Sequence, residues 1–418
     1  MAQQNIYFDN ASTTRVDDRV MRALAPYFTK IYCNPSNIYS SGLKTRAAVE
    51  KSRQVVARFL GAKPAQIVFT SGGTESNNLA ILGSMAKFKK GRIIISAIEH
   101  PSVLKPVERL GRRGFEIIKI KPGRDGVVSA REIAKHLTNN TVLVSIMYAN
   151  NEIGTVQPIA EISRIIRNFR NSKHEALNSK SPLLAGSRRN AGQAQHSQLE
   201  IKKFKLGEKA YPLFHTDACQ ATQYLPLDVQ KLGVDMLTIN GSKIHAPKGV
   251  GALYIKEGIA LEPLILGGSQ EMMKRAGTEN VPLIVGLARA LELISNKAAH
   301  KTKKISDYLI RELGKIEGAQ LNGSRHRRLP SIINFSFNGV EGESLVLRLD
   351  ARGIMTSTGS ACSSESLEPS HVVRAIRDAE SAHSSLRISL SRYNTMSEAR
   401  RAVKIIKEEI IKLRRMSQ

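Results

Sequence analysis

The chain contains no tryptophan, and aromatic residues make up only 5% of its 418 positions. Its three cysteines, Cys33, Cys219 and Cys362, are too few for a disulfide framework and show no metal-ligand spacing such as C-x-x-C. Reduced thiols and no resident metal are therefore expected. No run of about 18 uncharged apolar residues occurs, so no membrane-spanning helix is expected. The start Met1-Ala2-Gln3-Gln4-Asn5 lacks the basic-then-apolar stretch of a secretory signal, and a cytoplasmic location is expected. Acidic residues are scarce: 36 Asp and Glu face 63 Lys and Arg, leaving a net charge of +27. Such a charge attracts polyanions whatever the fold. The basic residues are nevertheless spread along the chain and not gathered with aromatics, so nucleic acid is not expected as the main ligand.

What the chain has is an ordinary globular composition, 41% hydrophobic and 24% charged, over a length that implies two or three packed domains. From Ile67 to about Ile255 short β-rich runs alternate with helical patterns, an α/β signature with a largely parallel sheet. Seven strands are expected: Ile67 to Thr70, Arg92 to Ala97, Phe115 to Ile120, Val142 to Met147, Leu213 to Thr216, Met236 to Ile239 and Gly251 to Ile255. Before them, Ala48, Ser52, Val55, Val56 and Phe59 fall at helical spacing. The expected division is an N-terminal segment 1–14 packing with a small domain, a large domain 15–260, and a smaller α+β domain 261–418. That last part should hold a long helix from near Val281, β-like pieces at Ser331 to Phe337, and a final helix striped by Val403, Ile406, Ile410 and Leu413. Residues 168–210 read as a polar, basic insertion, with nine Lys or Arg and three Glu between Arg170 and Lys209.

Three motifs carry chemistry when taken together. Thr70-Ser71-Gly72-Gly73-Thr74-Glu75-Ser76-Asn77-Asn78 follows a strand and opens a helix, which offers backbone N–H groups and a hydroxyl to a phosphate. His215-Thr216-Asp217-Ala218-Cys219-Gln220 ends a strand with a carboxylate, where open α/β sheets place ligands. Asn240-Gly241-Ser242-Lys243 ends the next strand with a lysine suited to forming a Schiff base. Singly, these are an ordinary capped turn, a strand end and a surface lysine. Jointly they match the needs of pyridoxal phosphate, whose phosphate, pyridinium nitrogen and aldehyde require a cradle, a carboxylate and an amine.

The sequence also resembles the cysteine desulfurases of the NifS and IscS type, in the class V branch of the aspartate-aminotransferase-like fold (pyridoxal-phosphate fold type I). Beyond the three motifs, the resemblance rests on Tyr7-Phe8-Asp9-Asn10-Ala11-Ser12-Thr13-Thr14, Asn34-Pro35-Ser36, Glu99-His100-Pro101, Asn150-Asn151-Glu152-Ile153-Gly154, Gly277-Thr278-Glu279-Asn280 and Gly359-Ser360-Ala361-Cys362. It implies that Lys243 binds the cofactor and acts as base, that Asp217 pairs with the pyridinium nitrogen, and that His100 stacks on the ring. Gln220 and Asn151 would bond near its phenolic oxygen, while Gly73, Thr74, Asn240 and Ser242 hold the phosphate side. Thr278 would reach the phosphate of a second subunit in a homodimer. Arg387 would clamp the L-cysteine carboxylate, with Asn10 and Asn151 near the substrate. Cys362, in a small-residue loop spanning 357–370, would take the sulfur and pass it to an acceptor such as an iron-sulfur scaffold, transiently meeting that acceptor's cluster, or towards tRNA thiolation. Cys33 and Cys219 read as structural thiols. Ser242 and Asn240 stand where the family commonly has His and Ser, and Met272 and Met273 where it often has Arg and Gly. The chain stops at Gln418 without a longer docking tail, so partner choice stays open. A selenocysteine lyase or another class V aminotransferase is the alternative; a non-catalytic basic binding protein is disfavoured by the joint presence of Lys243, Asp217, His100, Arg387 and Cys362.

Overall fold

The computed structural model describes residues 5–179, 211–359 and 369–416. Cys362 and the greater part of the expected insertion lie outside the described residues. In chain order the strands are β1 (Ile6–Tyr7), β2 (Ile67–Thr70), β3 (Arg92–Ser96), β4 (Glu116–Ile120), β5 (Thr141–Ser145), β6 (Leu213–Asp217), β7 (Met236–Asn240), β8 (Gly251–Ile255), β9 (Ala319–Leu321), β10 (Ile332–Phe337), β11 (Ile354–Met355) and β12 (Ser385–Ser389).

Seven of them form one sheet in the order β2-β8-β7-β6-β5-β3-β4, with only β8 running against its neighbours. The reason is visible in β3, where Ile93, Ile94 and Ile95 are all fully buried. A run without polar alternation needs cover on both faces, as central parallel strands have. Ile94 joins one core with Val144, Phe214 and Leu237, whereas Ile93 and Ile95 join another with Leu213, Met236 and Leu253. Each such side chain contributes about 1.5–3 kcal/mol on burial. A separate core surrounds the antiparallel sheet β12-β10-β9 and is closed by the Asn296–Leu313, Gly342–Asp350 and Met396–Met416 helices. Ile6 and Phe8 belong to that core, and β1 pairs in parallel with β11.

Two placements go beyond what the sequence alone suggests. The Ile159–Ser179 helix runs through the first twelve positions of the expected insertion. Phe169 packs against the main core, and Arg170 is ion-paired to Asp235 while bonding the Pro212 carbonyl. The exposed positions of that helix carry Arg167, Asn168, Asn171 and Ser172, and their polarity masks the helical period. The second concerns the Val281–Glu292 helix, which the sequence assigns to the C-terminal domain. Its buried face of Val281, Ile284, Leu287 and Leu291 instead joins the core of the large sheet, beside Val20, Leu24, Val49 and Val56.

One ion pair pins this layer to a strained loop. Arg53 places both terminal nitrogens 2.8 Å from the Glu271 carboxylate, which also accepts from Phe69 N at 2.8 Å. Both side chains are almost wholly buried, and Glu271, Met272 and Met273 all carry positive φ. Arg53→Met strands a buried carboxylate and is expected to cost about 3–5 kcal/mol. Urea unfolding monitored by circular dichroism checks this, and a loss below about 1 kcal/mol would mean that the loop simply opens.

Candidate active site

Strands β2, β3, β5, β6 and β7 all point their C-terminal ends at one edge of the sheet, and the chemistry-bearing residues follow those ends. A cavity of about 140 Å³ there is lined by Gly73, Thr74, His100, Asn151, Asp217, Gln220, Asn240, Lys243 and Arg387, among others. The topology alone brings these residues together from positions more than 300 apart, at the place where open α/β sheets bind ligands.

Gly73 opens the Gly73–Asn78 helix directly after β2. A Cβ at this position would come 2.7 Å from Cys219 Sγ and 3.4 Å from Asn240 Cβ, so only glycine fits. Asp217 ends β6, where Oδ1 accepts from Cys219 N at 2.9 Å and Oδ2 from Asn77 Nδ2 at 2.6 Å. Lys243 follows β7 in a 3-10 turn, Gly241–Lys243, and its ammonium bonds the Ser12 carbonyl. The segment after β1 lies over that turn, since Thr14 bonds the Ser242 carbonyl and Asp17 N bonds the His245 carbonyl.

His100 caps the Pro101–Arg112 helix: its Nδ1 accepts from Ser102 N at 3.1 Å and lies 2.7 Å from Ser102 Oγ. Asn77 Nδ2 donates to that same hydroxyl at 2.8 Å. An Nδ1 that accepts from a backbone N–H leaves the ring proton on Nε2. Burial lowers the His100 pKa, against the opposing pull of the Asp217 charge, so the ring is held neutral. His215 lies deeper, with Ser145 Oγ 2.9 Å from Nδ1 and Thr238 Oγ1 3.1 Å from Nε2, and burial pushes its pKa down to about 4.

Arg387, on β12, is 1% exposed. Nη2 donates to Asp9 Oδ1 at 2.7 Å and Ser12 Oγ at 2.8 Å, and Nη1 donates to the Asn151 carbonyl at 3.1 Å. Its buried Nε has no partner among the described residues.

Three expected site residues stand apart from this cavity. Asn10 spends its amide on the carbonyls of Ser389 and Tyr7 and on Asn394. Ser242 offers the cavity no side chain and engages Thr14 through its carbonyl, and Thr278 is exposed outside the lining. Sequence reasoning missed Asn77, Ser102, Ser12 and Asp9 as partners. Asn77, Asp9 and Ser12 stand within motifs that were recognised, but only the contacts reveal what they bond. It also missed Glu99. This fully buried carboxyl accepts from Ser96 Oγ at 2.5 Å and Met147 N at 2.9 Å through Oε1, while Oε2 has no partner among the described residues. Burial raises its pKa to about 8. Cys219 is buried as well, and burial raises its thiol pKa, which makes it a poor nucleophile.

The pattern of the family described as Aminotransferase class-V matches residues 6–173 and 198–401. The break at 174–197 falls within the region that reads as an insertion. The chain is 43% identical to a cysteine desulfurase IscS of Dictyoglomus turgidum, over 99% of this chain and 97% of that one. Among solved structures it is similar to a NifS-like protein (TM-score 0.83, 33% identity, 98% of this chain and 100% of that one). It is also similar to SspA in complex with cysteine (TM-score 0.75, 34% identity, 93% and 100%). The chain belongs to the class V aminotransferase family. Within that family it is an enzyme of the cysteine desulfurase type, grouped with NifS and IscS.

The buried Glu99 generates a pH prediction. The folded protein keeps a proton on Glu99 up to about pH 8, whereas the unfolded chain releases it near 4.5. The folded state then binds more protons, so stability contributed at this site falls as pH rises from about 4.5 towards 8. Glu99→Gln should remove that decline. Unfolding midpoints measured at acidic and alkaline pH check this, and an unchanged slope in the variant would show that Glu99 is ionised.

Proposed function

We propose that the enzyme uses pyridoxal phosphate to remove sulfur from free L-cysteine, releasing L-alanine and leaving a persulfide on Cys362. The observation that carries this reading is one cavity bordered by the Lys243 amine, the Asp217 carboxylate and the Arg387 guanidinium with its unpaired Nε. The residues present fit the cofactor: the glycine-only approach at Gly73, with Thr74 beside it, suits its phosphate, Asp217 its ring nitrogen, His100 its ring face and Lys243 its aldehyde. Asn151 and Gln220 border the same space for its phenolic side. Bound there, pyridoxal phosphate supplies an electron sink that acidifies the substrate Cα–H.

The chain's own groups do the rest. Arg387 receives the substrate carboxylate, a planar ligand for its fork and for the unpaired Nε. Lys243 Nζ removes the Cα proton and returns protons to carbon. Cys362 Sγ, as thiolate, attacks the substrate sulfur: the Cβ–S bond breaks, an S–S bond forms, and protonation at carbon gives alanine. Cysteine and enzyme thiol thus become alanine and enzyme persulfide, with no outside oxidant. A sulfur acceptor, such as an iron-sulfur scaffold, then takes the terminal sulfur. The free thiols Cys33 and Cys219 fit a reducing cytoplasm, and no helix among the described residues is long and apolar enough to cross a membrane.

A homodimer is part of the proposal. Phe28, Tyr32, Ile38 and Tyr39, together with Leu266 and Met273, expose large apolar surfaces that a monomer leaves in water. The exposed Thr278 follows closely after Met273, as expected of a residue that completes a partner's phosphate site.

Lys243→Ala should lower alanine release by at least about 10²-fold. Cys362→Ser should retain the cofactor's colour yet form no persulfide. Mass spectrometry after adding cysteine, before reductant, should place one extra sulfur on the Cys362 peptide, and finding it on Cys33 or Cys219 would refute the assignment. For the dimer, light scattering should give twice the chain mass, and Leu266→Asp with Met273→Asp should shift it towards the monomer. A fully active monomeric parent would refute the shared site.

A further inference from the structure

A second cavity, of about 550 Å³, lies between the Asn296–Leu313 helix and the 322–331 segment that joins β9 to β10, and it shares no lining residue with the first. Its walls carry His300, Lys303, Arg311, Arg325, His326 and Arg328, against a single carboxylate, Asp307. That carboxylate is already engaged by Lys303 Nζ at 2.6 Å, and Arg311 is engaged by Glu312 at 3.0 Å. Two arginines make no ion pair with the described residues, although the Asp307 charge acts on Arg328 from beyond ion-pair distance. Arg328 bonds only backbone carbonyls, those of Ser324 at 3.4 Å and Ile332 at 2.6 Å, and its buried Nε has no partner among the described residues. Arg325, on the same segment, has no hydrogen bond or ion pair to the described residues.

A guanidinium taken out of water without a counter-charge is costly, and a cavity that gathers several cations lowers that cost by admitting an anion. Burial accordingly depresses the Arg328 pKa to about 10. With Lys303 paired to Asp307 and Arg311 to Glu312, Arg325 and Arg328 leave two unpaired positive charges on the lining. That excess suits a multiply charged anion, and planar forks favour phosphoryl oxygens. Ala299, Ile310 and Pro330 add an apolar wall that suits an organic portion of the same ligand.

We propose that this cavity is a binding site for a phosphoryl anion, distinct from the cofactor's phosphate site. The two sources of that chemistry are an inorganic polyphosphate and a phosphorylated organic molecule. The cofactor-loaded full chain is titrated calorimetrically with inorganic pyrophosphate and, separately, with ADP at physiological ionic strength. Saturable binding is expected, weakened about tenfold or more by Arg325→Glu with cysteine turnover unchanged. Lys89→Glu alters an exposed lysine outside both cavities by the same charge and should bind like the parent. Tighter binding of ADP than of pyrophosphate supports the organic ligand, and equal or weaker binding supports the inorganic one. No saturable binding of either probe overturns the site. So does a loss in Lys89→Glu equal to that in Arg325→Glu, which would reduce the effect to net charge. Arg325 is solvent-exposed, so its substitution tests the site without the folding risk of altering Arg328.

Discussion

The buried guanidinium of Arg387 is the joint on which the site depends. It projects from β12 of the small antiparallel sheet, bonds Asp9 and Ser12 of the N-terminal segment, and reaches the Asn151 carbonyl beyond β5 of the large sheet. Three parts of the chain that are remote in sequence thereby meet at one charge. A cation held at 1% exposure tolerates this only if it is well hydrogen-bonded. Its Nε has no partner among the described residues, and Arg387 lines the cavity, which in the proposed function is where a carboxylate belongs.

The electrostatics around that joint follow from a second constraint, that few charges are buried close together. Asp217 is buried with its oxygens engaged by Asn77 and the Cys219 amide. Glu99 lies near enough for the Asp217 charge to add to the burial that keeps it protonated. His100 and His215 stay neutral for the same reason of desolvation. The chain from Asp217 through Asn77 and Ser102 to His100 also decides which ring nitrogen carries the proton. In the proposed function that tautomer faces the cofactor.

Much of the large sheet was legible because period and composition report burial on both faces. Arg92 to Ala97 reads as a strand and Arg92–Ser96 is one, and all seven expected strands occur with ends shifted by at most two residues. A polar composition hid one helix from the sequence. The Ile159–Ser179 helix turns Arg, Asn and Ser outward, yet Phe169 and Arg170 tie it to the core and to Asp235. The Val281–Glu292 helix shows the converse limit. Its apolar stripe announces a helix but cannot say which of two cores it faces.

Local chemistry was thus written in the sequence: glycines before a helix start, a carboxylate at one strand end and a lysine at the next, each recognisable because its neighbours dictate local backbone form. The tertiary structure decided what those groups touch. Only the parallel order β7-β6-β5-β3 brings Asp217, Lys243 and His100 to one edge, and only the return of β12 beside β10 carries Arg387 back to the N-terminal segment. The pairing of Asp9 with Arg387, the protonation of Glu99 and the depressed pKa of the buried Arg328 guanidinium share that origin. Each depends on desolvation and on distances between residues far apart in the chain, which no local pattern encodes.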